Sequence, residues 1–298
     1  KISISAASEG ARRARRSAAC LCAIQFVAVL LCARPVPAAF EISWPDARSA
    51  GMLVRGADLF PPLDAGSLRS SSGTATGAAT EPGARPGPRV TVSAGELYGI
   101  SEAAGWGARA AARFRAVSLR VELTTLGGEL YQERSLGLEV GLDPDSDLHL
   151  VARARVLGLG ARGVDDRWAA AVDVSVTRRL IGRVFLGAGC DNLTRSRIGD
   201  SPVASRARFG AALLLPSVTL RWTLSFEEPF AASTALGFEA ALTDWLRVRA
   251  GARDAPGKLG FGIGVGRPRA RPWPLIDLAW QWHPELGVSS FVSITMQL

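Results

Sequence analysis

Eleven charged residues share one phase of a two-residue alternation: Arg120, Glu122, Glu139, Arg153, Arg155, Asp173, Arg221, Glu239, Arg247, Arg249 and Asp277. The sign changes from one segment to the next. Arg120 and Glu122 are followed by Glu139, then by Arg153 and Arg155, then by Asp173. Such a set has two possible chemistries. The charges can neutralise one another across neighbouring strands and stiffen a wall, or they can read the polarity of a ligand passing along that wall. Catalysis is not expected, because no Ser/His/Asp or Cys/His set can be assembled around the two histidines, His149 and His283. No metal or cofactor site is expected either. Of four cysteines, Cys20, Cys22 and Cys32 fall in an N-terminal leader, which leaves Cys190 alone and implies no intramolecular disulfide in an exported form. Gly260, Gly262, Gly264 and Gly266 resemble a phosphate loop, yet no helix follows and Pro268 intervenes. They read better as space left for a bulky neighbour, a plug or a passing ligand. His283 shares the phase of Asp277 and suits a hydrogen-bonded wall position.

The elements that would carry these residues are strands, because the opposite phase is apolar. Val117, Leu119, Val121 and Leu123 alternate with Arg120 and Glu122; Val218, Leu220, Trp222, Leu224 and Phe226 flank Arg221. Ile276, Leu278, Trp280 and Trp282 flank Asp277, and Val292, Ile294, Met296 and Leu298 alternate with Ser293, Thr295 and Gln297. Alternating spans lie at 90–98, 105–115, 117–126, 132–142, 147–157, 168–178, 183–191, 205–215, 217–227, 234–243, 245–253, 258–266, 274–283 and 289–298. A soluble barrel would turn the charged face to water. Here the apolar face is almost free of charge and the other mixes glycine, hydroxyl and charge, which suits lipid outside and a polar lumen inside. No window past residue 40 reaches the roughly 18 apolar residues of a spanning helix, although 48% of the chain is hydrophobic and its mean hydropathy is +0.16. The expected fold is therefore all-β: a transmembrane antiparallel up-and-down β-barrel of about 14 strands. Connections on the side of the termini are expected to be short. Those on the other side, Gly99–Ala104, Gly127–Tyr131, Gly158–Arg167 and Asn192–Ala204, are expected to be longer. Trp106, Trp168, Trp245 and Trp273 fall near strand ends, as girdle aromatics do.

The formal charge of +8 raises nucleic acid as a partner, but +5 of it sits in residues 1–38. The remaining +3 is dispersed, with no basic block interleaved with aromatics, so nucleic-acid binding is not expected. Arg12–Arg16 followed by the apolar Ala18–Cys32 and small residues at Val36-Pro37-Ala38 reads as a cleaved signal peptide, 1–38, with a mature start near Ala39. A single membrane anchor is the alternative. Residues 39–89 form a Ser/Thr/Gly/Ala/Pro-rich linker; Phe40–Leu63 either belongs to a disordered periplasmic tail or tucks into the barrel as a partial plug. The barrel occupies 90–298.

Three short segments carry a family resemblance: Gly128-Glu129-Leu130-Tyr131-Gln132-Glu133, Gly189-Cys190-Asp191-Asn192-Leu193 and His283-Pro284-Glu285-Leu286-Gly287. In these the chain is similar to outer-membrane barrels of the long-chain fatty-acid transporter family. It also resembles the shuttle barrels of gliding-type (type IX) secretion and their uncharacterised relatives. The resemblance implies a fourteen-stranded barrel with modest loops in the cell outer membrane. It implies as partners outer-membrane lipid, the barrel-assembly machinery, and either hydrophobic small molecules or exported cargo protein. The Asn-Pro-Ala element common at the start of the group's barrels is absent, so a transporter-type hatch does not carry over. Two functions follow as expectations: passive passage for small hydrophobic molecules, or a closed structural or binding barrel serving as a secretion-associated anchor.

Overall fold

A computed structural model describes residues 88–298 except 146, 228–229, 231, 255–256 and 267–273. The signal peptide, the linker, the plug segment Phe40–Leu63, Trp273 and the turn at 268–273 lie outside the described residues. Sixteen strands follow in order: β1 (Arg89–Leu97), β2 (Ile100–Phe114), β3 (Val117–Gly127), β4 (Tyr131–Leu142), β5 (Leu148–Ala161), β6 (Val164–Ile181), β7 (Val184–Asp191), β8 (Arg197–Ile198), β9 (Ser201–Pro202), β10 (Arg206–Leu214), β11 (Val218–Glu227), β12 (Ser233–Ala241), β13 (Leu246–Arg253), β14 (Lys258–Val265), β15 (Leu275–His283) and β16 (Gly287–Gln297). Fourteen of them form one closed antiparallel barrel, each paired with its neighbours in chain order, while β8 and β9 make a small hairpin between β7 and β10. Closure comes from β1 and β16, in register from Arg89↔Gln297 to Glu96↔Ser290.

On most strands the alternation read from the sequence is the alternation of exposure; on β7 and β10 both phases are largely buried, Ala188, Cys190 and Ala207 among them. On β16, Ser289, Phe291 and Ser293 are buried, while Val288, Val292, Ile294 and Met296 are exposed. On β14, Leu259, Phe261, Ile263 and Val265 are exposed, Phe261 at 64%. Among large apolar side chains the exposed ones run around the outside of the wall, and several of the charged ones are buried within it. That inverts the usual soluble arrangement and leaves an apolar belt that only a hydrocarbon solvent would cover. Trp168 and Trp245 are exposed near strand ends, but Trp106 lies midway along β2, and Trp222, Trp280 and Trp282 also face outward along β11 and β15, so the tryptophans are spread over the belt.

The connections correct one expectation. Gly99–Ala104 and Gly158–Arg167 are not loops. Strand β2 begins at Ile100, and β5 and β6 continue to Ala161 and from Val164. Tyr98-Gly99 closes β1–β2 with φ of 57° and 68°, the two positive values of a tight hairpin turn whose twist matches its strands. Arg162-Gly163 closes β5–β6 just as tightly, with Gly163 at φ 80°. Polar, glycine-rich sequence looks like loop, but strand pairing uses the backbone and tolerates it; β6 therefore projects its exposed Asp165 and Asp166 past the apolar belt. Among the connections described throughout, the 192–205 one is long.

If hydrocarbon covers the belt, the cost of an outward charge depends on depth. Leu278→Arg, midway along β15, should destabilise the folded protein in phospholipid vesicles by about 2–4 kcal/mol in urea unfolding, and Val288→Arg, near the end of β16, by no more than about 1 kcal/mol. Equal, negligible costs would mean that water reaches both positions.

Candidate functional site

The residues that could do chemistry converge on the interior of the wall. Nine of the eleven expected lumen residues join ion pairs seen there among the described residues. Arg120 Nη1 donates to Glu139 Oε2 at 3.0 Å, directly across β3 and β4. Glu122 accepts from two arginines, Arg109 Nη2 at 3.2 Å and Arg153 Nη2 at 3.0 Å. Arg155 Nη2 donates to Asp173 Oδ1 at 2.7 Å. Arg249, whose side chain is fully buried, donates from Nε to Glu239 at 2.6 Å and from Nη1 to Asp277 at 2.5 Å. The other two share the same phase: Arg221 is buried opposite Gly237, and Arg247 is half-buried between Ala241 and Gly264.

Glycine sets the reach of these arginines. Arg153 stands on β5 and its partner Glu122 on β3, with Gly137 of β4 between them. A Cβ at Gly137 would come within 3.0 Å of Arg153 Nε. Arg249 on β13 reaches Asp277 on β15 over β14 in the same way, and a Cβ at Gly264 would stand 2.5 Å from Asp277 Oδ1 and 2.9 Å from Arg249 Nη2. Of the three uses open to the β14 glycines, space for a bulky neighbour is the one seen at Gly264. Each buried ion pair is thereby held in a fixed geometry with partners for its charge, the condition under which burying charge is tolerable.

The end of the barrel away from the termini is built differently. The 192–205 connection folds inward, so that Ile198 and Val203 pack against Leu157, Leu159, Ala169 and Ala171 of β5 and β6. Asn192, fully buried at φ 50°, pins it. Its backbone N–H donates to Asp173 Oδ1 at 2.8 Å, its Nδ2 to the Val203 carbonyl at 2.8 Å, and its Oδ1 accepts from the Ser196 N–H at 2.9 Å. Asparagine is one of the few side chains that tolerate a left-handed backbone. A second apolar cluster joins Ala279 and Phe291 to Leu97 and Leu126. Beside it Tyr98 meets His283 edge-on, and its N–H donates to Ser289 Oγ at 3.1 Å. His283 Nδ1 accepts from the Glu285 and Leu286 N–H groups, so it serves the turn. His149 lies at the opposite end, where Nδ1 meets Asp143 Oδ1 at 2.5 Å.

Several interior residues escaped the sequence reading: Arg109, Asp191, Arg206, Arg208, Glu227, and the pair Tyr131–Glu133. Arg208 pairs with Asp191, and Arg206 Nε donates to Glu227 at 2.7 Å. All share the alternation phase of the named residues, which was the available signal. Asn192 broke that phase and gave none. No cluster of potential metal ligands occurs among the described residues.

No family model and no curated protein matches the sequence. The fold does match solved structures. A Pseudomonas aeruginosa FadL homologue superposes with a TM-score of 0.56 at 10% identity, over 87% of this chain and 100% of that one. The Pseudomonas putida toluene transporter TodX gives 0.56 at 8% identity, over 87% and 98%. The Acinetobacter baumannii outer membrane protein Omp33 gives 0.50 at 10% identity, over 72% and 98%. The chain thus has the fold of transmembrane β-barrels of the outer membrane, FadL-like ones among them.

Replacing Arg249 with Met leaves Glu239 and Asp277 facing each other in a buried site. The variant should lose about 3–5 kcal/mol in urea unfolding, and a triple R249M/E239Q/D277N variant much less; equal losses would mean the pair is not electrostatically coupled. Asn192→Ala should raise protease cleavage within residues 193–204 while the barrel strands stay protected, because three hydrogen bonds that hold the inward fold are weakened or lost.

Proposed function

We propose that the protein is an outer-membrane channel through which small hydrophobic molecules pass without energy input. The leader in residues 1–38 would export it, the barrel-assembly machinery would fold it, and outer-membrane lipid would cover its belt. One observation carries this reading: apolar clusters lie on the inner face at the end away from the termini, in a wall otherwise lined by charge and hydroxyls. A channel for ions or sugars gains nothing from leucine and phenylalanine inside its mouth, whereas an apolar solute is drawn from water by such surface, at roughly 25 cal/mol per Å² buried. The fold likeness to a toluene transporter supports the same substrate class. Inward residues Arg120, Glu122, Glu139, Arg153, Arg155, Asp173, Arg221, Glu239, Arg247, Arg249 and Asp277 would line the passage, mostly as paired wall charges. Residues 39–89 would act beneath the barrel or within it as a partial plug. Nothing in this reading calls for an enzyme.

A closed anchor is the rival, and the extent of the buried ion-pair network favours it. Uptake separates the two. Cells with a lipopolysaccharide-covered outer membrane should accumulate n-propylbenzene several-fold faster when they carry the full chain than when they lack it. Equal rates, with the protein folded in the outer membrane, would favour the anchor.

A further inference from the structure

Among the inward carboxylates, Glu133 stands apart. Glu122, Glu139, Asp173, Asp191, Glu227, Glu239 and Asp277 each meet an arginine. Glu133 is only 5% exposed, yet among the described residues the hydrogen bond it accepts is from the Tyr131 hydroxyl to Oε1, at 2.5 Å. Its Oε2 is buried with no partner among the described residues. Its two cross-strand neighbours are leucines: Leu126 on β3 and Leu159 on β5. Leu126 belongs to the cluster of Leu97, Ala279 and Phe291, and Leu159 to that of Leu157, Ile198 and Val203. A carboxylate therefore sits where two greasy patches of the inner wall adjoin.

Burying a carboxylate without a cation is costly, and proteins rarely keep one so. A phenolic hydroxyl satisfies one lone pair and supplies no charge. The seven arginine-paired acids show that this wall meets the requirement wherever the charge is purely structural. We propose that Glu133, with Tyr131, is a binding site for small apolar molecules carrying a protonated amine. The ammonium would donate to the free Oε2 and neutralise the carboxylate, and the apolar body would lie against Leu126 and Leu159. Tyr131 holds Oε1, so Oε2, closed off from solvent in this structure, is the acceptor that an entering ligand would uncover. The site names a substrate class for the channel proposed above and rests on that reading only for what happens after binding.

The test uses the full chain in phospholipid nanodiscs and three probes of nearly equal shape: 2-phenylethylammonium, n-propylbenzene and 3-phenylpropanoate. Titration should show 2-phenylethylammonium bound at least ten-fold more tightly than either of the others. E133Q should remove that preference and E133D should retain most of it, with heat-modifiable gel migration confirming that each variant is folded. Equal affinities for the three probes on the unmodified chain, or a preference untouched by E133Q, would overturn the site. The comparison on the unmodified chain stands even if E133Q fails to fold. The two proposals fail separately. Uptake of n-propylbenzene without an ammonium preference refutes the site alone; an ammonium preference lost in E133Q, without uptake, upholds the site and refutes the channel.

Discussion

The rest of the structure depends on one constraint: inside hydrocarbon no backbone N–H or C=O can be left without a partner. A sheet meets it only by closing, and here the first strand meets the last along Arg89–Glu96 and Ser290–Gln297. Closure fixes the alternation, and the alternation assigns every side chain to lipid or to lumen. Apolar residues such as Leu278, Trp280 and Ile294 can then face outward at no cost, and all charge in the wall has to be resolved inside. The ion pairs are the consequence. Glycine at 137 and 264 lets arginines span an intervening strand and find acids that a strictly neighbouring ladder would not offer.

This division of labour made the barrel legible in the sequence. Period-two alternation on Val117–Glu122 or Ile276–Trp282 reports a two-faced strand, and an apolar face almost free of charge reports which solvent covers it. The strand count follows from phase alone. Elsewhere phase misled. Gly99–Ala104 and Gly158–Arg167 lack apolar contrast, yet they pair as strand, because hydrogen bonding across a ladder is indifferent to side chains. Which acid meets which arginine was not legible either, since Arg153 reaches two strands away. Asn192 was invisible for a different reason: its left-handed backbone and its bonds to Val203 and Ser196 are made by a loop folding back on the wall. Such a tertiary choice leaves no period in the sequence.

The interior has a directional character. Around β3, β4, β5, β13 and β15 the wall is a mesh of paired charge. Toward the end away from the termini the mesh gives way to two apolar patches, one of them completed by the inward 192–205 segment. Arginine pairs persist there on β7, β10 and β11. Greasy surface and paired charge thus share that end of the interior, on different sectors of the wall.

An outer belt of this kind requires that lipid, not protein or water, covers it. Gel migration of the full chain from an outer-membrane fraction, with and without boiling in dodecyl sulfate, tests it most directly. A closed barrel held by fourteen paired strands should run ahead of its boiled form and shift on heating. Recovery in the detergent-free soluble fraction, with a single band indifferent to heat, would contradict it.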